Sequence, residues 1–290
     1  MPADRLVSRA SRRRSLSSME TVSSGEAAIC PGLTHRPHAA SSQHRASRLS
    51  SPRGVGVFGG TFDPVHRGHV ASIVDFRDRL SLARVLVIPA GVPPHRDTPA
   101  SSGAQRLEML RLAFEGETRI EIDDRELKRS GRSFMVDTLA SIREELGASE
   151  PLLFALGMDA YLTLPTWHKW EALTRFAHIV ALARPGIESV LPPVLQAWEA
   201  GRRVAPDALL DSAAGCIAHL KLSQLDVSAT AVRDRRGAGS DWRNWLTPAV
   251  ADYIETRGLY LQSPDAGADD GGPARTPAEP GRLAGTTNPA

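Results

Sequence analysis

An α/β fold with an open, doubly wound parallel sheet is predicted for the middle of this 290-residue chain, and three observations predict it. Short apolar runs alternate with amphipathic stretches across residues 54–262, which is the pattern of parallel strands covered by helices. The flanks differ: residues 1–53 are rich in Ser and Arg, and residues 263–290 in Gly, Pro, Ala and Asp. Neither flank has sustained apolar periodicity, so both are expected to be disordered tails around one domain. No run of roughly 18 apolar residues occurs, which leaves no transmembrane helix and predicts a cytoplasmic protein.

The elements follow in order. Val55 to Phe58 is a short apolar run bounded by glycines, read as the first strand, and Gly68 to Leu80 as the helix after it. Arg84 to Ile88 repeats the apolar run, and Gln105 to Phe114 is helical in pattern. Further strands are expected at Arg119 to Ile122, Leu152 to Leu156, Ile179 to Ala183 and Cys216 to Leu220, with helices at Met135 to Leu146 and Trp167 to Phe176. A last helix should run from Pro248, a good first helical position, to Arg257, with Gly258 as its stop.

Hydrophobic content of 41% and charged content of 23% are ordinary for a globular protein. The net charge of +2 is uneven: residues 1–53 carry a local +6, leaving −4 for the rest. A body at −4 offers no broad basic face for nucleic acid. The Arg/Ser-rich front resembles a transit peptide in composition, but without an apolar stretch it is no secretion signal, and it is expected to be a dispensable upstream extension. Cys30 and Cys216 lie far apart and match no metal-binding or disulfide spacing. Cys216, in an expected strand, reads as a buried apolar filler.

Gly54-Val55-Gly56-Val57-Phe58-Gly59 satisfies the letter of the dinucleotide fingerprint G-x-G-x-x-G. That fingerprint needs its glycines in the turn after the strand and an acid at the end of the second strand. Here two glycines precede or sit within the strand, and the second strand ends in Ile88-Pro89-Ala90. A hydride-transfer enzyme is therefore not predicted.

The next residues carry more. Gly59-Gly60-Thr61-Phe62-Asp63-Pro64-Val65-His66-Arg67-Gly68-His69 puts glycines, a carboxylate and two histidines three apart at the end of the first strand, where open α/β sheets bind ligands. Two ring donors beside the free N–H groups and positive dipole of a helix N-terminus make a phosphate site. Gly68 is expected to leave room for a base or ribose, and Gly59 and Gly60 for phosphates. Two histidines with one Asp fall short of a permanent metal site. Ser228-Ala229-Thr230-Ala231-Val232-Arg233 supplies a second anion-binding set: Ser228 as an N-cap, first-turn N–H groups and Thr230 as donors, and Arg233 as a forked cation.

The eleven residues from Gly59 resemble the G-G-T-F-D-P-x-H-x-G-H signature of the nucleotidylyltransferase superfamily, and Ser228 to Arg233 resembles its S-x-T-x-x-R motif. Between them, Pro89-Ala90-Gly91-Val92-Pro93-Pro94-His95-Arg96, Asp124 to Arg129, Ser133-Phe134, Gly157-Met158-Asp159, Pro165-Thr166-Trp167 and Ala183-Arg184-Pro185-Gly186 come in the order of the bacterial nicotinate-mononucleotide adenylyltransferases. This resemblance spans about Val55 to Tyr260 and implies a Rossmann-like domain. It also implies that the adenylyl group of ATP passes to nicotinate mononucleotide, giving deamido-NAD and pyrophosphate. In the roles it implies, His66 and His69 contact the α- and β-phosphates, and Arg233 with Ser228 and Thr230 the β- and γ-phosphates. Gly59, Gly60, Thr61, Phe62, Gly68, Gly157 and Asp159 line the ATP site. Asp63, His95, Arg96, Trp167 and Arg184 seat the acceptor, with Trp167 stacked on the nicotinate ring. Mg²⁺ would arrive with ATP.

Two positions depart from the family. Ser133-Phe134-Met135 stands where S-Y-T is usual, the threonine position lying beside the nicotinate carboxylate, and His168 follows the stacking Trp where Tyr is frequent. The reaction type is thus better specified than the choice between acid and amide. Nicotinamide mononucleotide or phosphopantetheine as acceptor, and a non-catalytic nucleotide-binding protein of the same fold, are the competing readings. Intact His66, His69 and Arg233 speak against the last.

Overall fold

The computed structural model describes residues 51–91, 98–183, 190–222, 225 and 227–261. The expected tails at 1–50 and 263–290, Cys30, and the site candidates His95, Arg96 and Arg184 lie outside the described residues.

The chain forms β1 (Val55–Gly60), α1 (Arg67–Arg79), β2 (Arg84–Pro89), α2 (Gly103–Ala113), β3 (Ile120–Ile122), α3 (Arg125–Lys128) and α4 (Met135–Leu146). It continues through β4 (Leu152–Gly157), α5 (Met158–Leu162), α6 (Leu173–Phe176), β5 (His178–Ala183), α7 (Pro193–Glu199), β6 (Ile217–Lys221), α8 (Ala229–Gly237) and α9 (Pro248–Thr256). The strands form one sheet in the order β3-β2-β1-β4-β5-β6, and every pairing is parallel. A Rossmann-like, doubly wound α/β fold is what results.

Both faces of the sheet are covered, which is why its strands read as continuous apolar runs. Along β1, Phe58 packs into one layer with Ile73, Phe76, Met109, Val232 and Ile254. Val55 and Val57 pack into the opposite layer with Leu139, Phe154, Tyr161 and Leu195. Helices α1, α2, α8 and α9 thus cover one face, and α4, α5 and α7 the other. Gly56 is a packing glycine: a Cβ there would lie 2.7 Å from Phe76 Cε1 and 2.9 Å from Leu82 Cδ1 and Val85 Cγ2. This seats α1 tightly on the strand and explains the false fingerprint.

The expected strands are all present, with boundaries shifted by a residue or two. Arg119 has φ 63 and lies outside β3, and Cys216, buried as expected, precedes β6. The helix expected from Trp167 to Phe176 does not form as one piece. Pro165 starts a 3₁₀ turn at Leu164–Thr166, Trp167 is extended (φ −80, ψ 149), and Lys169 is left-handed at φ 49 before a second 3₁₀ turn at Trp170–Ala172 leads into α6. The last helix starts at Pro248 as expected and ends at Thr256, with Gly258 at φ 61.

The sheet order reverses between β1 and β4, so their carboxyl ends diverge into the crevice where such sheets take ligands.

Candidate active site

The loop leaving β1 enters α1 through His66, its N-cap, at φ −134 and ψ 169. His66 Nδ1 accepts the backbone N–H of His69, and His69 Nδ1 accepts that of His66, both at 3.3 Å. This is a capping box built from two imidazoles. The rings stack with centroids 3.7 Å apart, and Phe62 closes edge-on over His69 at 5.1 Å. Burial pushes His66 down to about 4. Burial first, then the charge of His66, hold His69 well below the ordinary histidine range. Both rings are neutral at pH 7. A neutral ring whose Nδ1 accepts must carry its hydrogen on Nε2, so each histidine keeps an Nε2–H donor for something else.

Asp63 is buried within this loop. Its carboxylate accepts the N–H of Ala100 (2.7 Å), the N–H of Ser101 (3.2 Å), the Ser101 hydroxyl and the Tyr260 phenol (2.7 Å). Alongside the acceptor contact expected of Asp63, these bonds tie its carboxylate to Ala100, Ser101 and Tyr260. Arg106, 2% exposed, donates to Thr61 O at 2.9 Å. These anchors reach the loop from α2 and from the end of the described chain.

Helix α8 brings the second motif to the same loop. Ser228 caps it, its Oγ accepting from Ala231 N at 3.1 Å. Arg233 Nη1 donates to Asp63 O at 2.7 Å, and its Nη2 lies 3.4 Å from Thr230 Oγ1. Arg67 Nε donates to Leu246 O at 2.8 Å, tying the start of α1 to the segment before α9. Gly68 serves this junction: a Cβ there would lie 3.1 Å from His66 Nδ1 and 3.4 Å from Leu225 O. On the side where a Cβ would stand, the space Gly68 leaves is lined by the His66 ring and Leu225.

Gly59 and Gly60 also make room for side chains. A Cβ on Gly59 would lie 2.7 Å from Met135 Cε, and one on Gly60 2.9 Å from Phe62 Cζ. Met135 therefore sits over the end of β1 at the start of α4. Phe134 and His168 touch, with centroids 4.4 Å apart, and Trp167 lies 6.5 Å from Phe154. The two departures from the family pattern are thus neighbours through Phe134. Gly91 approaches so closely that a Cβ would lie 2.5 Å from Glu126 O. Glu126 is buried, which raises its carboxyl, and it accepts from Thr138 Oγ1 at 2.7 Å. Gly157 and Asp159, at the end of β4, are exposed, and nothing within 4 Å would meet a Cβ on Gly157.

Among the described residues no group of three or more His, Cys, Asp and Glu could hold a metal ion. A shallow hollow of about 570 Å³ lined by Ala104, Gln105, Glu108, Leu112, Tyr253 and Arg257 contains none of these side chains. Sequence reasoning missed Tyr260, Ser101 and Arg106; no local pattern marks them, because each acts through a contact far along the chain.

Residues 57–235 match the family described as cytidylyltransferase-like. A Pseudomonas aeruginosa protein named "Probable nicotinate-nucleotide adenylyltransferase" is 44% identical over 206 residues, covering 71% of this chain and 96% of its own. A protein of that name from Chromohalobacter salexigens is 44% identical over 211 residues, with 72% and 96% covered. The solved structure of Plasmodium falciparum nicotinic acid mononucleotide adenylyltransferase complexed with NaAD superposes with a TM-score of 0.56 at 16% identity, over 72% of this chain and 97% of that one. At that identity the likeness speaks for the fold.

Proposed function

The chain belongs to the nicotinate-nucleotide adenylyltransferases of the cytidylyltransferase-like family, and from that premise we propose how its residues divide the work. The enzyme transfers the adenylyl group of ATP to nicotinate mononucleotide, giving deamido-NAD and pyrophosphate in NAD biosynthesis. The acceptor's 5′-phosphate oxygen attacks the α-phosphorus in line; the new P–O bond forms as the bond to the β-phosphate oxygen breaks. The nucleophile is already an anion at neutral pH, so no general base is needed, and positioning with charge stabilisation carries the catalysis.

The observation that carries this assignment is the reciprocal capping of His66 and His69, which leaves two Nε2–H donors beside the helix N-terminus. Being neutral, the rings contribute hydrogen bonds to the α- and β-phosphates without ionic charge. Arg233 supplies the fixed cation, with Thr230, the Ser228 hydroxyl and the first N–H groups of α8 as donors to the β- and γ-phosphates. Gly157 and Asp159 border the ribose and adenine. Trp167, with His95, Arg96 and Arg184, seats the acceptor.

A divalent ion fits this arrangement as Mg²⁺ carried on the nucleotide. Magnesium keeps several waters and binds through phosphates with few carboxylates, and the Asp63 carboxylate already accepts four protein donors. The catalytic unit is read as residues 54–262, with the flanks as extensions, and a cytoplasmic setting suits its nucleotide substrates.

One observation favours a second reading of the acceptor. Met135 stands in the sequence where the family usually has threonine, and its Cε lies over Gly59, so discrimination between nicotinate and its amide rests on fewer side-chain donors. Pyrophosphate release with MgATP and nicotinate mononucleotide, measured beside nicotinamide mononucleotide and phosphopantetheine, tests both readings. Faster turnover of phosphopantetheine overturns the acceptor class; equal turnover of acid and amide overturns the preference alone.

A further inference from the structure

The adenylyl-transfer machinery uses His66 and Arg233, which are joined through a residue that the reaction itself does not use. Asp63 lies three residues before His66, and its carbonyl oxygen accepts Arg233 Nη1 at 2.7 Å. A shift of Asp63 therefore moves both halves of the triphosphate site together. The position of Asp63 is set by its carboxylate, and one of the four donors there comes from far away. The Tyr260 phenol lies 2.7 Å from Asp63 Oδ1 and 3.1 Å from Ser101 Oγ.

Tyr260 is held for this contact. It follows α9 with φ 62, a left-handed conformation that a tyrosine keeps only where its surroundings impose it. Burial, first, and the neighbouring Asp63 carboxylate keep the phenol protonated throughout the working range, so it stays a donor. Loss of its hydroxyl leaves Asp63 with the Ala100 and Ser101 donors. The carboxylate then remains satisfied, while one of the restraints that place it is gone.

We propose that Tyr260 is a positioning residue for adenylyl transfer: through Asp63 it holds the His66 loop and the Arg233 guanidinium in register. This rests on the reading of His66 and Arg233 as phosphate contacts. The test is Tyr260→Phe in the full chain, assayed with MgATP and nicotinate mononucleotide. Because a 1 Å misplacement costs about 10²-fold, loss of one restraint should lower kcat about tenfold, with both KM values within about twofold. In an Asp63→Asn background the same change should have little further effect.

A second readout needs no substrate: ¹H–¹⁵N spectra of the imidazoles should show the His66 and His69 ring resonances displaced in Tyr260→Phe. Wild-type kcat in the variant, or a deficit that disappears at a temperature where both proteins are fully folded, overturns the proposal. If the wild type releases no pyrophosphate, the functional reading fails. The imidazole spectra then decide the clamp, with unmoved resonances counting against it and displaced ones for it.

Discussion

Each of His66 and His69 uses its Nδ1 to cap the backbone N–H of the other, and the two rings stack 3.7 Å apart. One pair of side chains therefore starts a helix and keeps an Nε2–H donor on each ring. The cap selects the tautomer, and the tautomer selects the chemistry.

Replacement of His69 by alanine should lower kcat by about 10² to 10³, the usual cost of one preorganised donor to a charge-bearing oxygen. The KM for nicotinate mononucleotide should change little, since the lost bond is to the other substrate. Steady-state kinetics on the purified variant measure both; unchanged turnover would remove His69 from the phosphate site.

Acid should weaken the fold through the same pair. Folded His66 has its pKa lowered from 6.5 to about 4, so the unfolded chain takes up the proton first. Its contribution to stability is full above pH 6.5 and is lost as pH falls toward 4. A doubly protonated ring cannot accept at Nδ1, so the caps break as well. His66→Asn keeps an N-cap acceptor without titrating, and its melting temperature should fall less than that of the wild type across this window.

At Gly56 an added methyl has nowhere to go. Gly56→Ala should destabilise by about 1–3 kcal/mol, the cost of overpacking, because the new Cβ meets Phe76, Leu82 and Val85 inside 3 Å. Urea denaturation would reveal it as a lower midpoint at unchanged slope. Wild-type stability would mean that α1 is not seated on β1 as described.

Away from the crevice, Glu199 accepts the Tyr161 phenol at 2.6 Å, His219 Nε2 at 2.7 Å and Arg203 Nη1 at 2.7 Å. Burial alone raises its carboxyl, but these bonds win and hold it at about 2. Glu199→Ala should cost about 2–3 kcal/mol by stranding buried donors, while kcat of the folded fraction stays near wild type. The carboxylate's contribution is present above pH 4.5 and fades as pH falls through about 2. Thermal melts paired with kinetics separate the two effects.

Much of this was legible in the residues themselves. The six strands showed as apolar runs because a parallel sheet is buried on both faces, and α4 matched its pattern from Met135 to Leu146. Both motifs that we propose contact phosphates lie in continuous stretches of chain, so a sequence pattern can mark them. The segment around Trp167 failed because helical periodicity does not reveal that Lys169 will turn left-handed. The glycines at 59, 60 and 68 read as room for ligands, and the sequence does not reveal that a Cβ at each would also meet Met135, Phe62, or the His66 ring and Leu225. Asp63 was read from its place in a motif, although the donors that define its role stand 37 to 197 residues away. Local pattern carries no trace of such contacts.

That last span bears on the order of events during synthesis. One donor to the Asp63 carboxylate comes from residue 260, and β6 with α8 also follow most of the chain. A nascent polypeptide with β1, α1 and β2 complete still lacks Arg233 and Tyr260, and so the contacts these make with Asp63. Assembly of the site proposed for the triphosphate therefore waits for the end of the domain.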